Sequence, residues 1–226
     1  MVRPSIVLWS FCATCGVISS SRTDATKLNL QGRGLCTDRS LLVIHDGSKA
    51  LRKAVRDLFG EVALVQRWQV HKMRNVLDHL PERQRTWAKA ILQRAYRSAG
   101  VATARRLLLD LARRLEAEHP SAAESIREGL DETLTVLGLN LPATLRRSLT
   151  TTTAAESLIS RTRHVKRHVK RWRGGQMVVR WVAAGVLEAV KGFRRLKGHK
   201  AMPQLVAALR ARDQQLGIAE VVENVA

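Results

Sequence analysis

Residues 40–48, Ser-Leu-Leu-Val-Ile-His-Asp-Gly-Ser, constrain the fold more than any other stretch of the chain. Leu41–Ile44 is a continuous apolar run bounded by turn residues, the pattern of a buried strand in a largely covered sheet. Asp46-Gly47-Ser48 turns the chain. Leu51, Ala54, Val55 and Leu58 then follow at helical spacing, and Gly60 stops that helix. Val62–Val65 reads as a second short strand, and a helix from about His71 to Leu80 ends at Pro81.

From Pro81 to about Leu149 the pattern is helical throughout. Trp87, Ile91 and Ala95 repeat at helical spacing, Ala102, Leu107, Leu111 and Leu115 mark a second helix, and Ser121–Leu137 follows Pro120 as a third. An all-helical block after a strand–helix–strand unit reads as an insertion into an α/β core, in a chain predominantly helical overall. Thr153, three residues before Glu156, fits a capping box that opens a helix running through Val169 at least. Gly174-Gly175 forces a turn, and Gln176–Phe193 is a helix apolar on most faces. The organisation expected is an atypical, disordered lead over 1–31 and a partial core over 32–80. The helical insertion covers 81–149, core helices 150–205, and a polar tail 206–226.

Charge narrows the function. The chain of 226 residues holds 39 Lys+Arg against 19 Asp+Glu, a net charge of +20, which favours a polyanionic partner. No apolar run is long enough to span a bilayer, and the Leu158, Val165 and Val169 face has few aromatics to anchor a basic helix on a membrane surface, so a membrane partner is not expected. Cys12, Cys15 and Cys36 are confined to the first 36 residues, which excludes a disulfide framework for the body of the chain and suits a cytoplasmic setting. Cys12-x-x-Cys15 lacks a second ligand pair nearby and does not read as a zinc site.

Placed on a helical wheel, Glu156, Ser160, Arg163, Arg167 and Lys170 share one stripe, opposite Leu158, Thr162, Val165 and Val169. Between Arg146 and Lys197 there are 14 Lys+Arg against two acids, Glu156 and Glu188. DNA phosphates suit such a surface, with Arg163, Lys166, Arg167, Lys170, Arg171 and Arg173 as contacts. Asp46, at the carboxyl end of a buried strand, is the other singular acid, read either as a site residue or as the N-cap of the next helix. Asp46 and Glu156 together supply the oxygen ligands that Mg²⁺ prefers. Trp68, Trp172 and Trp181 are expected to pack rather than to stack on bases, and His45 to be buried.

Three ordered segments carry a resemblance. Leu41–Leu51, Val65-Gln-Arg-Trp-Gln-Val-His-Lys-Met-Arg-Asn75, and Thr152-Thr-Ala-Ala-Glu-Ser157 followed by Arg161–Arg167 resemble the mutator-type transposases of bacterial insertion sequences. The resemblance implies a ribonuclease-H-like, retroviral-integrase-like core with a D-D-E triad, in which Asp46 is the second Asp and Glu156 the Glu. It implies Mg²⁺-assisted DNA strand cleavage and transfer at transposon ends, in a nucleoid-associated homo-oligomer or beside a full-length transposase. Three departures stand out. The first Asp has no counterpart, since Asp24 and Asp38 lie in no strand pattern. The family's Cys-x-x-His is Trp68-x-x-His71, and its Asn before the Glu is Thr153. The implied protein is an N-terminally truncated transposase, inactive alone. The reading from another class is a non-catalytic, basic, helical DNA-binding or regulatory protein.

Overall fold

The computed structural model describes residues 6–8, 32, 38–151, 153–167, 169 and 171–218, with backbone alone for 6–8 and 153–155. A parallel sheet of three short strands lies at its centre, ordered β1 (Ile6–Leu8), β2 (Leu41–His45), β3 (Ala63–Arg67). Strands β2 and β3 are joined through α1 (Lys49–Phe59), the crossover that parallel neighbours require. Their register runs from Leu41↔Ala63 to His45↔Arg67. Strand β1 pairs with the other side of β2, Ile6↔Leu42 to Leu8↔Ile44. The sequence shows no strand periodicity over 1–30, so this pairing is a finding of the structure.

Both faces of β2 are covered, which is why its sequence does not alternate. Leu41 and Val43 pack with Leu51, Val55, Leu58 and Phe59 of α1. Leu42 and Ile44 pack with Leu145 and Leu149 of α7 (Ala143–Leu149) and with Leu205 and Leu209 of α10 (Met202–Gln215). The expected polar tail is therefore in part a core helix. Its Asp213 is buried and accepts the Ser40 N–H at 2.7 Å, fixing the start of β2.

A second core is wholly helical. It joins α2 (Gln69–Asp78), α3 (Glu82–Tyr96), α4 (Val101–Leu115), α5 (Pro120–Arg127) and α6 (Leu130–Gly138) through residues such as Val76, Leu92, Leu108, Leu111, Ile126 and Leu134. Two expectations change. The third helix of this block is two helices, because Gly129 takes φ +63° between them. Trp87 is exposed, and Ala88, Leu92 and Ala95 form the buried stripe instead.

Helix α6 belongs to both cores. Leu134 and Leu137 face the helical core, while Val136 faces the sheet. Gln66 of β3, fully buried, donates to Thr133 O at 3.0 Å and accepts from Val136 N–H at 2.8 Å. Thr135 Oγ1 donates to Val65 O at 2.7 Å. The free edge of β3 is thus closed by a helix through side chains. Replacing Gln66 with Leu removes the side-chain acceptor of the Val136 N–H and one of the two amides, Gln66 and Gln69, that donate to Thr133 O, and is expected to cost about 1–3 kcal/mol. Urea unfolding should show a lower midpoint at unchanged m.

Helices α8 (Thr153–Val165) and α9 (Gly175–Lys191) form a pair. Thr162 of α8 meets α9 at Gly185, where an added Cβ would lie 2.8 Å from Thr162 Cγ2. Helix α8 ends at Val165, earlier than the sequence pattern suggests, and Lys166 and Arg167 sit in a turn.

Candidate functional site

Of the two sequence-derived acids, Asp46 lies at the carboxyl end of the sheet and Glu156 on α8. Asp46 follows β2 directly and is half-buried. Its Oδ1 accepts the Ser48 N–H at 3.1 Å, whereas the N-cap of α1 is Ser48, whose hydroxyl accepts from Leu51 N–H. Asp46 is therefore not the cap. The ladder continues one step further, with Trp68 N–H donating to His45 O at 2.8 Å, so Asp46 and Trp68 leave adjacent strands side by side. Trp68 is buried, as expected, and its ring stacks on His71 with centroids 3.9 Å apart and 22° between planes. His71 Nε2 lies 3.9 Å from Glu156 Oε1 on the exposed side of α8, an ion pair when the ring is protonated. Gln69 N–H reaches Thr150 O at 3.4 Å, holding the chain just before α8 against the start of α2. Contacts thus lead from His45, the residue before Asp46, through Trp68 and His71 to Glu156.

Oxygen donors of this kind suit Mg²⁺. Yet among the described residues no group of three or more His, Cys, Asp or Glu is placed to hold a metal ion. The residues present do not complete a metal centre, and no chemical step is derived through one.

Beside the acids lies a cationic latch that sequence reasoning missed. Arg67 and Lys72 are buried, and both reach Glu128 at the α5–α6 turn. Arg67 Nη1 is 3.2 Å from Glu128 Oε2, and Lys72 Nζ donates to Glu128 O. Burial pushes the Lys72 ammonium down to about 8, and neighbouring Arg67 adds to this. Burial alone would raise the Glu128 carboxyl, but Arg67, Lys72 and Lys49 hold it below the usual range. Glu132 meets Arg56 at 3.2 Å and Arg52 at 3.5 Å. The signal that could have located this turn is Glu128-Gly129 inside an apparently continuous helical pattern.

The basic surface is less regular than a single stripe. Arg163 and Arg167 are exposed and Lys166 is half-buried, while Thr162 is buried as the wheel requires. Arg171 and Arg173 are exposed in the irregular segment before α9, and Lys170 lies outside the described residues. Trp172 is 39 % exposed, contrary to the expectation that it packs. Helix α9 also exposes Val178, Val179, Val182, Leu187 and Val190. The cysteine pair Cys12 and Cys15, and Cys36, lie outside the described residues. Among the described residues no helix is long and apolar enough to cross a membrane.

His45, the residue before Asp46, is buried as expected, and its Nδ1 accepts the Gly47 N–H at 2.9 Å. The neutral ring then carries its proton on Nε2, which has no partner among the described residues. Burial pushes the imidazole down to about 4; Asp46 opposes this, while Arg67 and Arg52 reinforce it. A depressed folded pKa means that the unfolded chain binds this proton first, so stability is lost as pH falls from 6.5 to about 4. The loss attributable to His45 is expected to be on the order of 3 kcal/mol. Urea midpoints followed across this window should fall more steeply for wild type than for His45→Gln.

Comparison with known proteins agrees with the segments singled out in the sequence. Residues 25–195 match the family described as Transposase, Mutator family, well over half of the chain. Over 136 residues the chain is 34% identical to the transposase for insertion sequence element IST2 of Acidithiobacillus ferrooxidans. That stretch covers 60% of this chain and 45% of the relative, so the chain aligns with under half of that protein's length. The family match takes in the strand–helix–strand unit, the helical block and both Asp46 and Glu156, and the chain belongs to the Mutator family of transposases.

Proposed function

We propose that this chain acts in the transposition of an insertion element, holding DNA at the element's ends on its C-terminal basic surface. The family match over residues 25–195 carries the reading. The excess of 14 cations over two acids between Arg146 and Lys197 supports it, since like charges at this density are offset by a polyanion. Arg163, Lys166, Arg167, Lys170, Arg171 and Arg173 are the phosphate contacts. In this reading β2, α1 and β3 belong to a ribonuclease-H-like core, and Asp46 and Glu156 are two carboxylates of its Mg²⁺ site. Because the first Asp of the family's triad has no counterpart here, this reading has the chain not cleaving DNA by itself. Its protein partner is a second copy or a full-length transposase.

Two measurements test the reading. Fluorescence anisotropy with labelled transposon-end DNA should show affinity falling linearly with salt on a log–log plot. Alanine at Arg163, Lys166 or Arg167 should flatten that slope by about one for each phosphate contact removed. Binding that is weak and indifferent to salt would end the proposal. In a plasmid-nicking assay with Mg²⁺, wild type and Glu156→Gln are expected to give the same background. Nicking by wild type that disappears in Glu156→Gln would show a complete metal site and overturn the stated inactivity.

A further inference from the structure

Trp172 carries an inference that rests on the DNA-binding reading and extends it. A large aromatic ring is ordinarily covered in a folded chain, by core or by a partner. Trp172 is 39 % exposed in the irregular segment 171–174 that joins the α8 side of the molecule to α9. Exposed arginines flank it on both sides, Arg171 and Arg173. Gly174 and Gly175 follow, and a Cβ added at either would meet nothing within 4 Å. The first turn of α9 holds no acid, and the nearest acids in sequence are Glu156 and Glu188. No carboxylate in this segment opposes an incoming phosphate.

An aromatic face between two cations matches the chemistry of an unpaired nucleotide. The base stacks on the indole and the flanking phosphates meet the guanidinium groups. A base inside a duplex offers no free face to a ring. The same cations on a paired helix would use only the backbone, which leaves the exposed indole unexplained. We propose that Arg171-Trp172-Arg173 binds an unpaired nucleotide in single-stranded or splayed DNA, with Trp172 as its stacking platform.

The test uses the full chain and two labelled probes of about 20 nucleotides, an oligo-dT single strand and a blunt duplex, read by anisotropy at one salt concentration. Trp172→Ala is expected to weaken single-strand binding by roughly 5- to 100-fold, and duplex binding by less than about twofold. Trp172→Phe, which keeps an aromatic face, should retain most of the single-strand affinity. Circular dichroism of each variant checks the fold. If Trp172→Ala binds both probes as wild type does, or loses both equally, the stacking proposal fails while DNA binding stands. If wild type binds neither probe, the DNA-binding reading fails with it. If wild type binds phosphatidylserine vesicles in a Trp172-dependent manner and ignores the single strand, the ring serves a membrane surface and the proposal is overturned.

Discussion

The described architecture depends on one buried amide. Gln66 sits on the edge strand of the parallel sheet, and both of its polar ends are used on the backbone of α6. A hydrogen bond made in folding is worth about 1 kcal/mol net, but a buried polar group left without a partner costs more. That asymmetry makes the contact directional. Leu or Val at position 66 would bury well against α6 but would supply neither the acceptor for Val136 N–H nor the donor to Thr133 O. Through this amide the sheet core and the helical core share a single helix, and the carboxyl end of the sheet acquires a fixed wall.

Ionic contacts follow the same division. Glu128 and Glu132, at the turn and start of α6, take the cations of the sheet unit: Arg67, Lys72 and Lys49 on one, Arg52 and Arg56 on the other. Removing one partner from such a group leaves an uncompensated buried charge, which is costly. The positive charge of the sheet unit is thereby partly neutralised within the fold. Between Arg146 and Lys197 the sequence sets two acids, of which Glu188 pairs with Lys191, against 14 cations. The excess positive charge of the chain is thus concentrated in the segment that carries α8 and α9.

Local chemistry made part of this legible in the sequence. The apolar run at Leu41–Ile44, the Asp46 turn and the amphipathic spacing of Lys49–Phe59 each depend on residues a few positions apart, and each stands where the pattern put it. Glu156, Arg163 and Thr162 fell on the expected sides of α8 for the same reason. What escaped depends on partners far along the chain. The tail helix is fixed by Asp213 meeting Ser40 and by Leu205 and Leu209 meeting β2. The pairing of β1 is with the edge of β2 opposite β3, more than thirty residues along the chain. Trp172 was misjudged because hydrophobicity alone says a ring should be covered, not whether the protein itself covers it.

Gly47 joins the latch to the candidate site. It takes φ +106°, where a side chain is strained, and an added Cβ would clash with the Arg67 guanidinium. The guanidinium needs that space to run under the turn to Glu128. The turn in question is the one that carries Asp46, and its N–H groups are taken by His45 Nδ1 and Asp46 Oδ1. One glycine thus satisfies two demands: the backbone conformation of the turn that carries Asp46, and passage for the cation that ties the helical core to the sheet. A side chain at position 47 would disturb both at once, so the geometry at Asp46 cannot change independently of how the helical block is docked.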